Sequence, residues 1–272
     1  MRRHLWPLVL GIILISCKKE KPTEQPPGQP QAVVLLKDMI VDHLPSPYYH
    51  FEYDASNRVS FVSFASEFTR YDVVYSGQQI AEMRNNILVN KDRLQYVYGS
   101  SDKVELIAYM DSTGLVYKTL DLFYDGPKLV RVDRAARQGT VGFVQEKTVT
   151  MTYFDDGNLK DITHHYFPYN GQPEIQYTIH YDHYDNKVNV DAFNLLHSEF
   201  FDHLFLLPGV QLQKNNPGTE TLTGDGNNYT VNYTYTYSDK NAPLTRTGDL
   251  VFLTGNQTGE HFSLGTTYSY YQ

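Results

Sequence analysis

From about residue 33 to the end, apolar and polar side chains alternate in short runs. Leu94, Tyr96 and Tyr98 fall on one side of such a run, with Gln95 and Val97 on the other. Ile175, Tyr177, Ile179 and Tyr181 oppose Gln176, Thr178 and His180. Tyr229, Val231, Tyr233, Tyr235 and Tyr237 oppose Thr230, Asn232, Thr234 and Thr236. A period of two predicts half-buried strands of an antiparallel sheet. Tyr, Val, Thr and Phe also suit a pleated surface that is apolar on one side.

The runs form a weak repeat. A strand ends on an aromatic residue, a short turn rich in Asp, Gly, Asn and Ser follows, and an aliphatic residue opens the next strand. The segments begin at His50, Asp72, Leu94, Leu120, Val149, Tyr177 and Tyr229. The first six aromatic anchors, Tyr53, Tyr75, Tyr98, Tyr124, Phe154 and Tyr181, recur every 22 to 30 residues, the length of a hairpin with its return connection. The pairs Asp125-Gly126, Asp156-Gly157 and Asn170-Gly171 suit tight turns that need positive φ. The expected fold is all-β: one large curled antiparallel meander, open or barrel-like, of roughly 12 to 14 strands. One stretch departs from it. In 191–207, Phe193, Leu196, Phe200, Leu204 and Leu207 make a helical stripe, with Asp191 placed as N-cap and Pro208-Gly209 as the stop, so one short helical insertion is expected there.

The N-terminus follows different rules. Arg2 and Arg3 precede the eleven-residue apolar run Leu5 to Ile15, too short to span a bilayer as a helix but suited to a signal peptide. The run ends in Leu14-Ile15-Ser16-Cys17, which resembles the bacterial lipobox. The resemblance implies a signal peptide over 1–16, lipidation of Cys17 and anchoring to a membrane through that lipid. Residues 17–32, Pro-rich and charged, read as a tether, and 33–272 as a single β-meander domain. Cys17 is the sole cysteine, so no intramolecular disulfide, cysteine metal site or thiol nucleophile is available to the domain.

Charge narrows the partners. The chain has 31 acidic against 23 basic residues, and removal of Arg2 and Arg3 makes the mature protein more acidic still. No nucleic-acid partner is expected. Asp54, Asp125, Asp155, Asp156, Asp182 and Asp185 lack calcium-loop spacing and sit where turns use Asx hydrogen bonds. His164 and His165, adjacent in a strand, point to opposite faces, and with His180 and His183 they read as solvated surface histidines ahead of a two-histidine metal site. No nucleophile elbow or Ser-x-x-Lys in a sensible context is present, so the expectation is no enzyme, no cofactor and no metal. Asp111-Ser112-Thr113 resembles an O-glycosylation acceptor of exported proteins, with Ser112 as the candidate residue.

The pattern Tyr-Asp-x-x-x-Lys/Arg-Leu/Val resembles tyrosine–aspartate (YD) repeats. Hairpins of this kind, a helical insertion, Asn215-Asn216-Pro217 and then Tyr233-Thr-Tyr235-Thr-Tyr237 leading to Pro243 are similar to a group of Bacteroidota lipoproteins that share a domain of unknown function with a porin-like fold. The resemblance implies a curled antiparallel sheet and a cell-envelope location, most readily the outer membrane, and brings no catalytic residues. The expected function is a non-catalytic envelope lipoprotein that binds an unidentified glycan, lipid or envelope protein. The alternative is a purely structural spacer. A membrane-spanning barrel or a hydrolase stands behind both, the former because strands such as 120–124 are short and charges recur on both faces.

Overall fold

A computed structural model describes residues 34–86, 92–168, 171–190 and 206–271. The compact unit Val34–Gln272 holds sixteen described strands. In chain order they are β1 (Leu36–Val41), β2 (Tyr49–Tyr53), β3 (Val59–Phe64), β4 (Thr69–Ser76), β5 (Gln79–Asn85), β6 (Arg93–Tyr98), β7 (Val104–Met110) and β8 (Val116–Asp125). They continue as β9 (Lys128–Gln138), β10 (Gly142–Tyr153), β11 (Leu159–Tyr166), β12 (Ile175–Asp182), β13 (Thr219–Gly224), β14 (Tyr229–Tyr237), β15 (Pro243–Phe252) and β16 (His261–Tyr270). Each pairs antiparallel with its sequence neighbour, and β1 pairs with β16, which closes the meander into a barrel.

The fold is the barrel-like all-β meander that the alternation predicts, with two more strands than the upper expectation. The seven repeats point to the fourteen strands β2 to β15. The two left out, β1 and β16, lie outside any Tyr-Asp segment and are the pair that seals the ring. One repeat also misleads. Val188 opens no strand; β13 starts only at Thr219, after a long connection. The expected helical insertion lies outside the described residues except for Leu206 and Leu207, which are non-helical and buried.

The repeat has a physical meaning. At or just past the end of an even-numbered strand, a tyrosine turns inward and reaches the start of the preceding odd strand. Tyr53 donates its hydroxyl to the Leu36 carbonyl (2.8 Å), Tyr75 to Val59 (2.9 Å), Tyr124 to Val104 (2.9 Å), Tyr153 to Leu129 (2.5 Å) and Tyr184 to Leu159 (2.7 Å). The Tyr98 hydroxyl instead accepts from the Ile80 N–H (3.0 Å), and Tyr270 reaches the Pro243 carbonyl. The anchors are thus Tyr153 and Tyr184 where the sequence pattern picks Phe154 and Tyr181. The ladder breaks register at these tyrosines, between Glu52 and Tyr53, Val74 and Tyr75, Val97 and Tyr98, Phe123 and Tyr124, and Thr152 and Tyr153. Such bulges interrupt the backbone ladder, and the phenol supplies a hydrogen bond worth on the order of 1 kcal/mol there.

The turn that follows completes the unit. Asp54 accepts from the Ser56 and Arg58 amides and pairs with the Arg58 side chain. Arg58 then lies over the Tyr75 ring (4.1 Å) and donates to the Gly77 carbonyl (2.7 Å). Lys103 likewise covers Tyr124 and bonds the Gly126 carbonyl, and Lys128 covers Tyr153. Each of these turns is clasped to the next hairpin, so a ring of tyrosines girdles one end of the barrel. Gly126 and Gly157 in these turns have φ of 51° and 88°, as the Asp-Gly pairs require.

Inside, Met39, Phe51, Tyr71, Met83, Leu94, Ile107, Leu129 and Ile162 are among the fully buried side chains of one continuous core. The outside carries many polar cross-strand pairs. Asp38 faces His50 (2.6 Å) and Asp161 faces His180 (2.7 Å) across strand pairs, while Thr163–Thr178 (2.8 Å) and Thr236–Thr245 (2.7 Å) hydroxyl pairs run along the β10–β16 wall. A bilayer-spanning barrel needs an outward apolar band about 25 Å tall. The described outer wall mixes carboxylates, histidines and threonines with singly placed exposed apolar residues such as Ile40, Val97, Phe123 and Phe143.

Candidate functional site

The two ends of the barrel differ. The girdle end carries the tight Asp-Gly turns and the long connection after β12. That connection is tied down by Asn158 in the β10–β11 turn: its Oδ1 accepts from the Lys214 (2.9 Å) and Asn215 (3.0 Å) amides, and its Nδ2 donates to Asn215 Oδ1 (3.1 Å). Asn216 donates from its amide to Asp185 Oδ1 (3.1 Å), and the Tyr237 hydroxyl donates to the other oxygen of that carboxylate. Asn215-Asn216 is therefore a clasp, built from groups that bond backbone. Tyr96, wholly inside, donates to the Leu206 carbonyl (2.8 Å) and holds the connection against β6.

At the opposite end, the inner wall of β11–β16 is only partly covered by the described residues. Cross-strand partners share a face. Val231, which is buried, pairs with Leu250, and Leu250 pairs with Phe262; Tyr233 pairs with Gly248, and Gly248 with Leu264. Phe262 and Leu264 thus point inward, yet each is 39% exposed. Phe252 stands edge-on to both Tyr229 (6.4 Å between centroids) and Phe262 (5.6 Å), giving a concave aromatic wall. Gly248 permits it. A Cβ there would come 2.8 Å from Val231 Cγ1 and 3.0 Å from the Tyr233 ring, which lies across the glycine.

Deeper in, the wall is polar and braced. Glu220 accepts from the Tyr229 and Tyr233 hydroxyls (2.9 Å each), and burial, followed by the Glu220 charge, drives both phenols well above their ordinary range. Arg246 lies over Tyr233 (5.2 Å) and donates to Thr266. Next along, His164 stacks on Tyr177 (4.8 Å, 19°) beneath Lys147, whose ammonium covers Tyr166 (4.6 Å). His164 is 1% exposed, and neither ring nitrogen has a hydrogen-bond partner. Burial, then Lys147 and Arg134, push its pKa down to about 3, so it stays neutral.

The sequence-predicted candidates do not converge here. His164 and His165 do point to opposite faces, but His164 is a core residue and not the solvated histidine expected. Its strand register places it inside, opposite Tyr177. His165 and His180 pair with Glu174 and Asp161 on the outer wall, and His183 contacts Thr219. Among the described residues no cluster of three or more His, Cys, Asp or Glu could hold a metal ion. Asp54, Asp156 and Asp185 accept turn amides, as Asx chemistry predicts. Ser112 lies exposed in the β7–β8 turn, where Asp111 Oδ1 accepts from the Thr113 amide and hydroxyl and from the Leu115 amide. Cys17 lies outside the described residues. Sequence reasoning misses the aromatic wall of Tyr229, Phe252, Phe262 and Leu264. Alternation assigns these residues to a face but carries no sign of whether anything covers it.

No family model and no curated protein matches the chain. Solved structures do resemble it in fold. A porin-like protein from Bacteroides uniformis superimposes with a TM-score of 0.56 at 12% identity, over 88% of this chain and 95% of that one. A porin-like protein from Bacteroides vulgatus gives 0.57 at 15% identity, over 87% and 99%. At these identities the likeness is one of fold, a porin-like antiparallel barrel.

Proposed function

We propose that this protein is a non-catalytic, lipid-anchored envelope protein whose barrel binds a ligand on the inner wall of β11–β16. The observation that carries the reading is the exposure of inward-facing Phe262 and Leu264 beside Tyr229 and Phe252, in a barrel whose other half is closely filled. A partly exposed aromatic wall on a concave face suits the apolar face of a glycan ring or an acyl chain. The ion pairs and hydroxyl pairs on the outer wall, between which apolar residues such as Val97 and Phe123 stand singly, favour a water-surrounded barrel over a membrane-spanning one. The acidic balance gives nucleic acid no attraction, and among the described residues no arrangement of nucleophile and base supports catalysis. Cys17 supplies the anchor, and the outer membrane is the location that fits the fold of its structural neighbours best.

A glycan array and a lipid-overlay screen with the soluble barrel test the ligand. Binding that is lost in Phe262→Ala and retained in Phe123→Ala, an outer-wall control, supports the reading. A barrel that binds nothing in either screen is the spacer suggested by its filled half. Incorporation of labelled palmitate, abolished in Cys17→Ala, tests the anchor.

A further inference from the structure

The loop tips at the end opposite the tyrosine girdle form an apolar crown. Leu44, Phe68, Leu115, Val141 and Leu253 occupy five separate connections there, β1–β2, β3–β4, β7–β8, β9–β10 and β15–β16, and all are exposed, Phe68 at 75% and Val141 at 78%. The described turns at the girdle end, 54–58, 77–78, 99–103, 126–127, 154–158 and 238–242, carry no exposed large apolar residue. The asymmetry is built in at a structural cost. Ala65, Ser66 and Glu67 run consecutively through the left-handed region (φ 51°, 56° and 66°), strained for residues with a Cβ, in the turn that leaves Phe68 in water.

We propose that this crown seats the barrel, end-on, at the surface of a lipid bilayer. The arrangement itself selects the occupant. A protein partner is recognised by one contiguous patch with a buried centre. Here single apolar side chains are spread over separate loops around the rim of one ring, which matches a flat apolar layer reached through headgroups. The carboxylates, histidines and threonines of the outer wall stop the barrel from entering further. Asp42, Glu67, Asp111 and Glu260 lie in the same connections as the tips and set the preference toward zwitterionic over anionic headgroups.

The test is flotation of the barrel, residues 34–272, with phosphatidylcholine vesicles, alone or with added phosphatidylglycerol. All sixteen strands and their closure lie within this segment. Co-flotation with the neutral vesicles, insensitive to salt, is expected. Phe68→Ser and Val141→Ser should each weaken it about tenfold, whereas Val97→Ser with Phe123→Ser, exposed on the wall toward the girdle, should not change it. No flotation on neutral vesicles overturns the proposal, as does equal loss in both sets of variants. Sedimentation velocity showing that the tips instead drive self-association of the barrel also overturns it. The ligand reading of the inner wall is tested separately by Phe262→Ala.

Discussion

His164→Phe should make the protein less sensitive to acid. His164 is buried against Tyr177 with two unpartnered ring nitrogens, and its pKa is pushed to about 3 from an ordinary 6.5. Between these values the unfolded chain binds a proton at this residue and the folded one does not. Its contribution to stability is therefore fully present above about pH 6.5 and is lost as pH falls toward 3. At pH 5 the ionised imidazole favours the unfolded state by about 2 kcal/mol, and at pH 3 by roughly 4 to 5 kcal/mol. Phenylalanine keeps the stack on Tyr177 and leaves no polar atom unsatisfied, so at pH 8 the variant should match or exceed the wild type. Urea unfolding of both proteins at pH 8 and pH 5 measures the effect. The wild type should lose about 2 kcal/mol more than the variant on going to pH 5. Parallel losses would show that His164 gains a proton or a partner in the fold, and the burial argument would fail.

Asn158→Ala removes the acceptor of the Lys214 and Asn215 amides, so it should cost about 2 to 3 kcal/mol. Amide exchange should accelerate in 210–216 first, and unchanged exchange there would refute the clasp. Gly248→Ala places a methyl against Val231 and Tyr233 and should lower stability by about 1 to 3 kcal/mol in thermal unfolding, with Gly226→Ala, whose Cβ would meet open space but at φ 94°, costing only backbone strain.

The strands are legible because alternation survives in a sheet with one wet face. Leu94 and Tyr96 are buried as their period demands, Tyr98 reaches inward to the Ile80 amide, and His180 is outward. The repeat identifies hairpins through their turns, and so it overlooks β1 and β16, whose join is made between the ends of the domain and leaves no local mark. The anchor tyrosine is misplaced by one position at Phe154 because the phenol that reaches back is set where the ladder slips, which period-two reading does not register, and by three at Tyr181 because Tyr184 lies past the end of its strand. His164 is misjudged because a histidine flanked by a second histidine looks solvated; only the register with Tyr177 and Val149 puts it in the core. The candidate inner wall depends on the distance between facing strands, a property of closure and not of any strand.

The β1–β16 seam bears on how the protein is made. Fifteen of the sixteen pairings join sequence neighbours and can zip as each hairpin appears. The last waits for the far end of the domain, because Leu36 finds Tyr270 and Met39 finds Tyr268 only once both exist. A nascent chain therefore stays an open ribbon with two raw edges, vulnerable to edge-to-edge aggregation. Its final act of folding is to bring those edges together.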